Sequence, residues 1–384
     1  MVAIRTEMAT RRAVLKTAGP AALGISLSGC TEDGGDDDAE RMGESDGANS
    51  YSVSMEPVGE VAFESVPERV VAYFPGYVDM CVALGVGDRV LAMAEMDRYY
   101  TRYYDEIDGV SIDESGLMDI LGENGIDKEV FYELDADLHL IDPEWLTNNE
   151  AFGLDEGDVE EIESNVAPFL GNAIFRRTDD WHDYEYYTMY EAFEIVSQVF
   201  GEEQRFEAFS TFHDDFITGI QEQLPAESER PNALLVFGDG DEPETFSPYR
   251  LSDEGTNKKQ FHDLGVEDAL AGSGIEGLST SDRGEIDYET MLDVDPDALL
   301  VRGHEEKSAA EFENTVLAFM KDHPVASELT AVEGGRVFRG GPIYQGPIQN
   351  LFMTERTAQE FFPEEFSEKE LFDRKQVAEI VSGQ

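Results

Sequence analysis

Residues 127–141 read Asp-Lys-Glu-Val-Phe-Tyr-Glu-Leu-Asp-Ala-Asp-Leu-His-Leu-Ile, and residues 287–301 read Asp-Tyr-Glu-Thr-Met-Leu-Asp-Val-Asp-Pro-Asp-Ala-Leu-Leu-Val. Aligned without gaps, they share Asp127/Asp287, Glu129/Glu289, Asp135/Asp295 and Asp137/Asp297, and each ends in an apolar run suited to a strand. The surroundings repeat as well. Pro67 leads into apolar residues 70–74 and later into Leu84-Gly85-Val86, while Pro231 leads into residues 233–237 and later into Leu264-Gly265-Val266. Two halves of one plan predict an α/β fold of two lobes, with loops of different length.

Inside the first half, residues 70–74 read as a strand buried on both faces, closed by Pro75-Gly76. Val78, Cys81, Val82 and Leu84 fall at helical spacing up to Gly85, and residues 90–94 form the next strand, which completes a βαβ unit. Between the halves, Phe206, Phe209, Phe212, Phe216, Ile217, Ile220 and Leu224 keep helical spacing between Gly201 and Pro225. At 1.5 Å per residue this is a rod of roughly 35 Å, long enough to join two lobes and stiff enough to limit hinge motion. The expected organisation is an N-terminal α/β lobe over residues 53–201, a linking helix over 202–225 and a C-terminal α/β lobe over 226–384.

The chain start is of a different kind. Thr10-Arg11-Arg12 precedes an apolar run at residues 13–28 that is rich in Gly, Ala and Ser, and Leu27-Ser28-Gly29-Cys30 follows. Residues 1–30 read as a twin-arginine export signal ending in a lipobox, with Cys30 the lipidated residue. The alternative is a chance cysteine after an ordinary cleaved signal. Residues 31–52 are mostly Gly, Asp, Glu and Ser, a flexible acidic tether. Cys81 is then the one cysteine of the folded domain and reads as a buried small hydrophobe.

The 384 residues carry 84 acidic and 27 basic side chains, a formal charge of −57. Such a field repels phosphate backbones and excludes nucleic acid as a partner. A hydrophobic fraction of 41% is enough for a large buried core, so the acid does not signal disorder. Acid spread along the whole chain fits concentrated salt, as in a halophilic archaeon, where a Debye length of ~3 Å at molar salt relieves self-repulsion.

Taken together, Val66-Pro67-Glu68-Arg69-Val70-Val71, Ala83-Leu84-Gly85-Val86-Gly87-Asp88-Arg89-Val90, the two Glu-x5-Asp-x-Asp segments and Leu329-Thr-Ala-Val-Glu-Gly-Gly-Arg-Val-Phe338 resemble one family. It is the lipoprotein substrate-binding proteins of ABC importers for iron-siderophores, haem and cobalamin. The resemblance implies two Rossmann-like lobes on one long helix with a ligand cleft between them. It also implies a monomeric binding protein without catalysis or intrinsic cofactor. The expected ligand is an iron chelate, with cobalamin or haem as alternatives, and the expected partners are a permease, its ATPase and, through the lipid, the outer face of the membrane.

In open α/β sheets ligands sit beyond the carboxyl ends of the strands, which selects the cleft loops. The candidate ligand-binding residues there are Tyr77, Tyr99, Tyr100, Trp145, Arg176 and Trp181 from the first lobe, and Arg250, Arg302, His304 and Tyr344 from the second. Aromatic faces stack on flat ligands, and Arg pairs with anionic ones. The tyrosines around position 100 read equally as a packed helix face. By resemblance, Glu129 and Glu289 are permease-docking residues; otherwise each simply favours the positive end of a helix.

Other signals fail. Asp293-Val-Asp295-Pro-Asp297 lacks the Gly that a calcium loop needs at its sixth position, which is Ala298. The six histidines show no metal-ligand spacing, although direct ferric-ion binding through Tyr and carboxylates stays open. Nucleophile-elbow, Walker and dinucleotide motifs are missing, which leaves a lipid-anchored hydrolase as a remote alternative.

Overall fold

The computed structural model describes residues 50–122, 124–275 and 284–384. The paired arginines, Cys30 and the tether up to residue 49 lie outside the described residues. A hairpin comes first: β1 (Tyr51–Met55) and β2 (Gly59–Phe63) pair antiparallel, with Tyr51 opposite Phe63.

The first lobe is built on four parallel strands. The apolar run at residues 70–74 divides: Val70, Val71 and Ala72 form β3 (Val70–Ala72), with no exposed surface, while Phe74 caps α1 (Pro75–Ala83). Pro75-Gly76 closes the strand by opening the helix itself, because proline at the first helical position loses no hydrogen bond and already has helical φ. β4 (Val90–Met93), β5 (Met118–Asp119), α2 (Glu129–Leu134) and β6 (Leu138–Leu140) follow, and the sheet order is β5-β4-β3-β6. Helices α3 (Pro143–Thr147), α4 (Glu156–Asn165) and α5 (Met189–Phe200) complete the lobe.

α6 (Glu203–Gln221) leads on to the second lobe. It buries Phe209, Phe212, Phe216, Ile217 and Ile220, the face expected from their spacing. At 19 residues it is about 28 Å long, shorter than the expected rod. Pro225 disfavours helical backbone at the residue before it.

The second lobe holds β7 (Asn232–Phe237), β8 (Ser247–Tyr249), α7 (Lys259–Asp263), β9 (Glu267–Asp268), α8 (Tyr288–Val294), β10 (Ala298–Arg302), α9 (Ala309–Phe312), α10 (Ala318–Asp322), α11 (Thr330–Glu333) and β11 (Val337–Arg339). The sheet runs β11-β10-β7-β8, and β9 also pairs with β7; every pair is parallel except β7 with β8, which is antiparallel. Alternation assigns the faces: Ala233, Leu235, Ala298 and Leu300 join a core continuous with the first lobe, while Leu234, Val236, Leu299 and Val301 form a second core beneath the outer helices. The chain then returns. α12 (Pro347–Phe361) and α13 (Arg374–Ser382), expected in the second lobe, pack against α1 of the first.

The repeat has a structural cause. Asp135 and Asp295 each end their helix in the left-handed conformation, at φ 45° and 44°. Asp137 accepts hydrogen bonds from the amides of Glu68 and Arg69 at 2.9 and 3.0 Å, and Asp297 accepts one from the amide of Asn232 at 3.1 Å. Each ties the turn before one strand to the start of its parallel neighbour, β6 to β3 in the first lobe and β10 to β7 in the second.

Candidate functional site

Strand β3 aims the start of α1 at the space between the lobes, and the loop after β11 meets it from the other side. Among the described residues, space between the lobes opens at two places. One is lined by Phe74, Gly76, Tyr77, Ile174 and Phe175 of the first lobe and by Thr256, Tyr344 and Gln345 of the second, and leaves about 10 Å³ that a water-sized sphere can occupy. The other lies between Arg176 and Thr178 on one side and Tyr249, Arg250, Asp253, Asn257 and Lys258 on the other, and leaves about 20 Å³. Small-ligand sites run from roughly 300 to 1,000 Å³, and little of either space is wide enough to seat a water molecule. The lobes are closed on each other.

Backbone contact makes the closure tight. The Thr256 amide donates to the Ile174 carbonyl at 3.0 Å. Gly255 lies beside it at φ 140°, where a Cβ would stand 2.3 Å from the Phe175 carbonyl oxygen. Only glycine fits there.

Aromatic rings fill the first space. Tyr344, 3% exposed, lies 5.3 Å from the Phe74 ring and 4.9 Å, edge to face, from Phe175. Phe175 in turn stands 5.0 Å from Trp145, and Trp145 is 6.1 Å from Trp181. Tyr77 contributes its ring, while its hydroxyl is held by the Asn172 backbone at 2.9 and 3.0 Å.

Cations line the second space. The Arg176 guanidinium lies 4.9 Å over Trp145 and is paired with Asp179 at 3.0 Å. Arg302, 1% exposed, lies 4.8 Å over Tyr249 and donates to the carbonyls of Asn257 and Gly340. Lys258 is 2% exposed, and burial pushes its ammonium down to about 8. Arg250 donates to the carbonyls of Leu270 and Ile275. In a chain of charge −57, Arg176, Arg250 and Lys258 gather around this one space together with Asp253, and Arg302 lies behind Tyr249.

The structure therefore brings together Tyr77 and Tyr344, then Trp145, Arg176 and Trp181, then Arg250 and Arg302. Trp145, with Trp181 against it, and Arg302 stand behind the lining, against Phe175, Arg176 and Tyr249, and line neither space themselves; Tyr99, Tyr100 and His304 also line neither. Tyr99 bonds the Tyr104 hydroxyl at 2.8 Å, and Tyr104 donates to Asp79 at 2.6 Å. Tyr100 is half-buried, and its carbonyl accepts from the Gln349 side chain. His304 packs on Phe312 at 5.5 Å, and burial lowers its imidazole. Sequence reasoning misses Phe175, Asn257 and Lys258. The Lys258-Lys259 doublet, conspicuous in so acidic a chain, was the available signal.

Buried polar groups join the lobes beyond these spaces. Glu305 accepts two hydrogen bonds from Arg356, at 2.8 and 3.0 Å, and one from Tyr103 of the first lobe at 3.3 Å. Burial alone would raise its carboxyl, but Arg356, with Arg339 and Arg102, holds it at about 2. Glu129 and Glu289 are exposed in the first turns of α2 and α8. A helix that turns directly into a strand runs antiparallel to it, so both sit at the inter-lobe edge of their sheets. Among the described residues no three His, Cys, Asp or Glu side chains gather where they could hold a metal ion.

Residues 70–344 match the family model described as periplasmic binding protein, which spans the repeat, both sheets and the lobe interface. The chain belongs to this family. The two-lobe α/β architecture expected from the repeat is the family's fold, and the family binds ligands and works outside the cytoplasm. Among solved structures this periplasmic binding protein is similar to the iron-uptake ABC transporter substrate-binding protein PiuA of Streptococcus pneumoniae, with a TM-score of 0.58 and 15% identity over 82% of this chain and 100% of that one. CeuE of Helicobacter pylori in complex with nickel and histidine gives 0.59 and 12%, over 87% and 96%. The petrobactin-binding protein YclQ of Bacillus subtilis gives 0.55 and 17%, over 82% and 99%. Identities this low carry the fold alone. No curated protein sequence matches significantly. Among the described residues no helix is long and apolar enough to cross a membrane.

Proposed function

We propose that this periplasmic binding protein is the extracellular solute-binding component of an ABC importer, which captures an iron-siderophore or related iron chelate and delivers it to the membrane permease. The observation that carries the reading is the inter-lobe surface, where aromatic rings of both lobes adjoin Arg176, Arg250 and Lys258, with Arg302 stacked behind Tyr249. Flat aromatic faces suit a chelate's rings, and buried cations suit an anionic complex. The structural likeness to proteins of iron uptake and petrobactin binding supports it. The ligand arrives as substrate, with no resident cofactor. Cys30 anchors the chain to the outer face of the membrane, and the acidic surface suits molar salt.

The test is a titration of the mature protein in molar salt with ferric trihydroxamate and triscatecholate chelates, haem and cobalamin. Trp145 and Trp181 report through fluorescence. Saturation at one equivalent by a ferric chelate is expected; saturation by haem or cobalamin instead would reassign the ligand, and no response to any of them would refute the reading. Anchoring has its own test. Cys30→Ser should release the protein from salt-washed membranes, and undiminished retention would remove the lipid from the account.

A further inference from the structure

We propose that Tyr344 is a built-in occupant of the inter-lobe site, an autoinhibitory side chain that a ligand must displace. This rests on the reading of that space as the ligand site. Tyr344 belongs to the second lobe, yet its ring is enclosed by Phe74 and Phe175 of the first, at 5.3 and 4.9 Å. Its hydroxyl donates to Glu95 of the first lobe at 3.4 Å, and Arg98 steadies that carboxylate at 3.1 Å. A ring so placed takes up width that a ligand needs, and the space it lines is left with about 10 Å³ that a water-sized sphere can occupy.

The segment that carries Tyr344 runs from residue 340 to residue 346 between β11 and α12, and its backbone is held at both ends. The Gly340 amide bonds the Val301 carbonyl at 2.8 Å, and the amide of Gly341, at φ 80°, donates to Glu305 at 3.0 Å. At the far end the segment is seated on α1: a Cβ on Gly76 would stand 2.8 Å from the Gln345 carbonyl oxygen, and one on Gly346 would stand 2.6 Å from the Asp79 side chain. Asp79 then accepts hydrogen bonds from the Ile348 and Gln349 amides. With the backbone held, displacement of Tyr344 is a rotation of its side chain away from the two rings while the lobes stay joined. Tyr77, with its hydroxyl spent on Asn172, remains as a fixed wall.

Removal of the ring converts the filled space into an apolar cavity, and such cavities take up small aromatic molecules. The probe is indole, titrated in molar salt against the parent and Tyr344→Ala, with binding read by calorimetry. Indole should bind Tyr344→Ala at least roughly tenfold more tightly than the parent, as expected for a dry cavity of ring size. Tyr344→Leu, which keeps apolar volume without the ring, should fall between them and serves where the alanine variant does not fold. Equal indole affinity in parent and folded variant would overturn the proposal. A retained indole difference in a protein that binds no ferric chelate, haem or cobalamin would instead overturn the ligand reading alone.

Discussion

The Asp79 carboxylate accepts a hydrogen bond from the backbone amide of Ile348 at 2.8 Å, across 269 positions of sequence. The Gln349 amide bonds the same oxygen at 3.2 Å, so a side chain of α1 caps the start of α12. α12 supplies no capping side chain of its own, since Gly346 occupies its N-cap. A carboxylate at a helix N-terminus is favoured, but one with no exposed surface is expensive to keep ionised. Burial wins, and Asp79 is pushed up to about 7.

That balance fixes a pH dependence. The native pKa lies above the unfolded value, so the folded protein holds an extra proton between about 4 and about 7, and stability falls as pH rises through that window. Asp79→Asn cannot ionise, and its amide oxygen can still accept from the helix amides. Relative to the parent it should gain about 1–3 kcal/mol between pH 5 and pH 8, read by denaturant unfolding in molar salt. Asp79→Ala, which abandons the cap, should lose about 1–3 kcal/mol at pH 5. A pH-independent difference between Asn variant and parent would refute the assignment.

His139 gives the opposite slope. It lies in β6 without exposed surface, between Phe131 at 5.1 Å and Phe169 at 4.8 Å. Burial lowers its imidazole to about 4, against a weaker pull from the Ala167 carbonyl. The unfolded state therefore takes up the proton first as pH falls from about 6.5, and the fold loses stability down to about 4. His139→Leu should be more stable than the parent at pH 5 by at least about 1 kcal/mol beyond its difference at pH 8. Parallel stability curves over that range would contradict it.

Glu305 and Arg356 test what holds the lobe interface. Loss of one partner from a buried pair costs about 3–5 kcal/mol, because the other charge is left without compensation. Glu305→Leu and Arg356→Met should each fall in that range, while the double variant should stand closer to the parent than either single one. The Glu305 carboxyl is held at about 2, below its ordinary value, so its contribution is complete above about 4.5 and is lost as pH falls through about 2. Additive losses in the double variant would show that the two residues act separately.

These groups also show what the sequence could and could not reveal. The two lobes, the strands and α6 are legible because each follows from local spacing: apolar runs, a helical period and a repeat of fifteen residues. The aspartates of that repeat are legible as a pattern but not in their roles. Whether Asp137 caps, coordinates or docks depends on the amides of Glu68 and Arg69, nearly seventy positions away. Phe175 against Tyr344, Lys258 beside Arg176, and Asp79 at α12 arise only when the lobes close and the C-terminal helices return. No local period encodes them. Tyr99 and Tyr104 follow the same rule, since their hydroxyls serve Asp79 instead of lining the inter-lobe space.

Glu129 and Glu289 are the one repeated pair of which neither member accepts a backbone hydrogen bond through its side chain among the described residues. Asp127, Asp135 and Asp137, like their counterparts in the second half, serve helix ends and strand starts. The glutamates are exposed, one on each lobe, at the inter-lobe edge. A two-lobed protein that meets a permease with both halves needs such a matched pair, and rim charges govern encounter and partner choice more than stability. Glu129→Ala with Glu289→Ala should leave chelate binding and melting temperature nearly unchanged, yet lower uptake by whole cells, each single variant doing so in part. At molar salt the Debye length is ~3 Å, so only direct contact with basic residues of the permease would register. Normal uptake by the double variant would refute the docking role. Impaired chelate binding would move both residues to the ligand site.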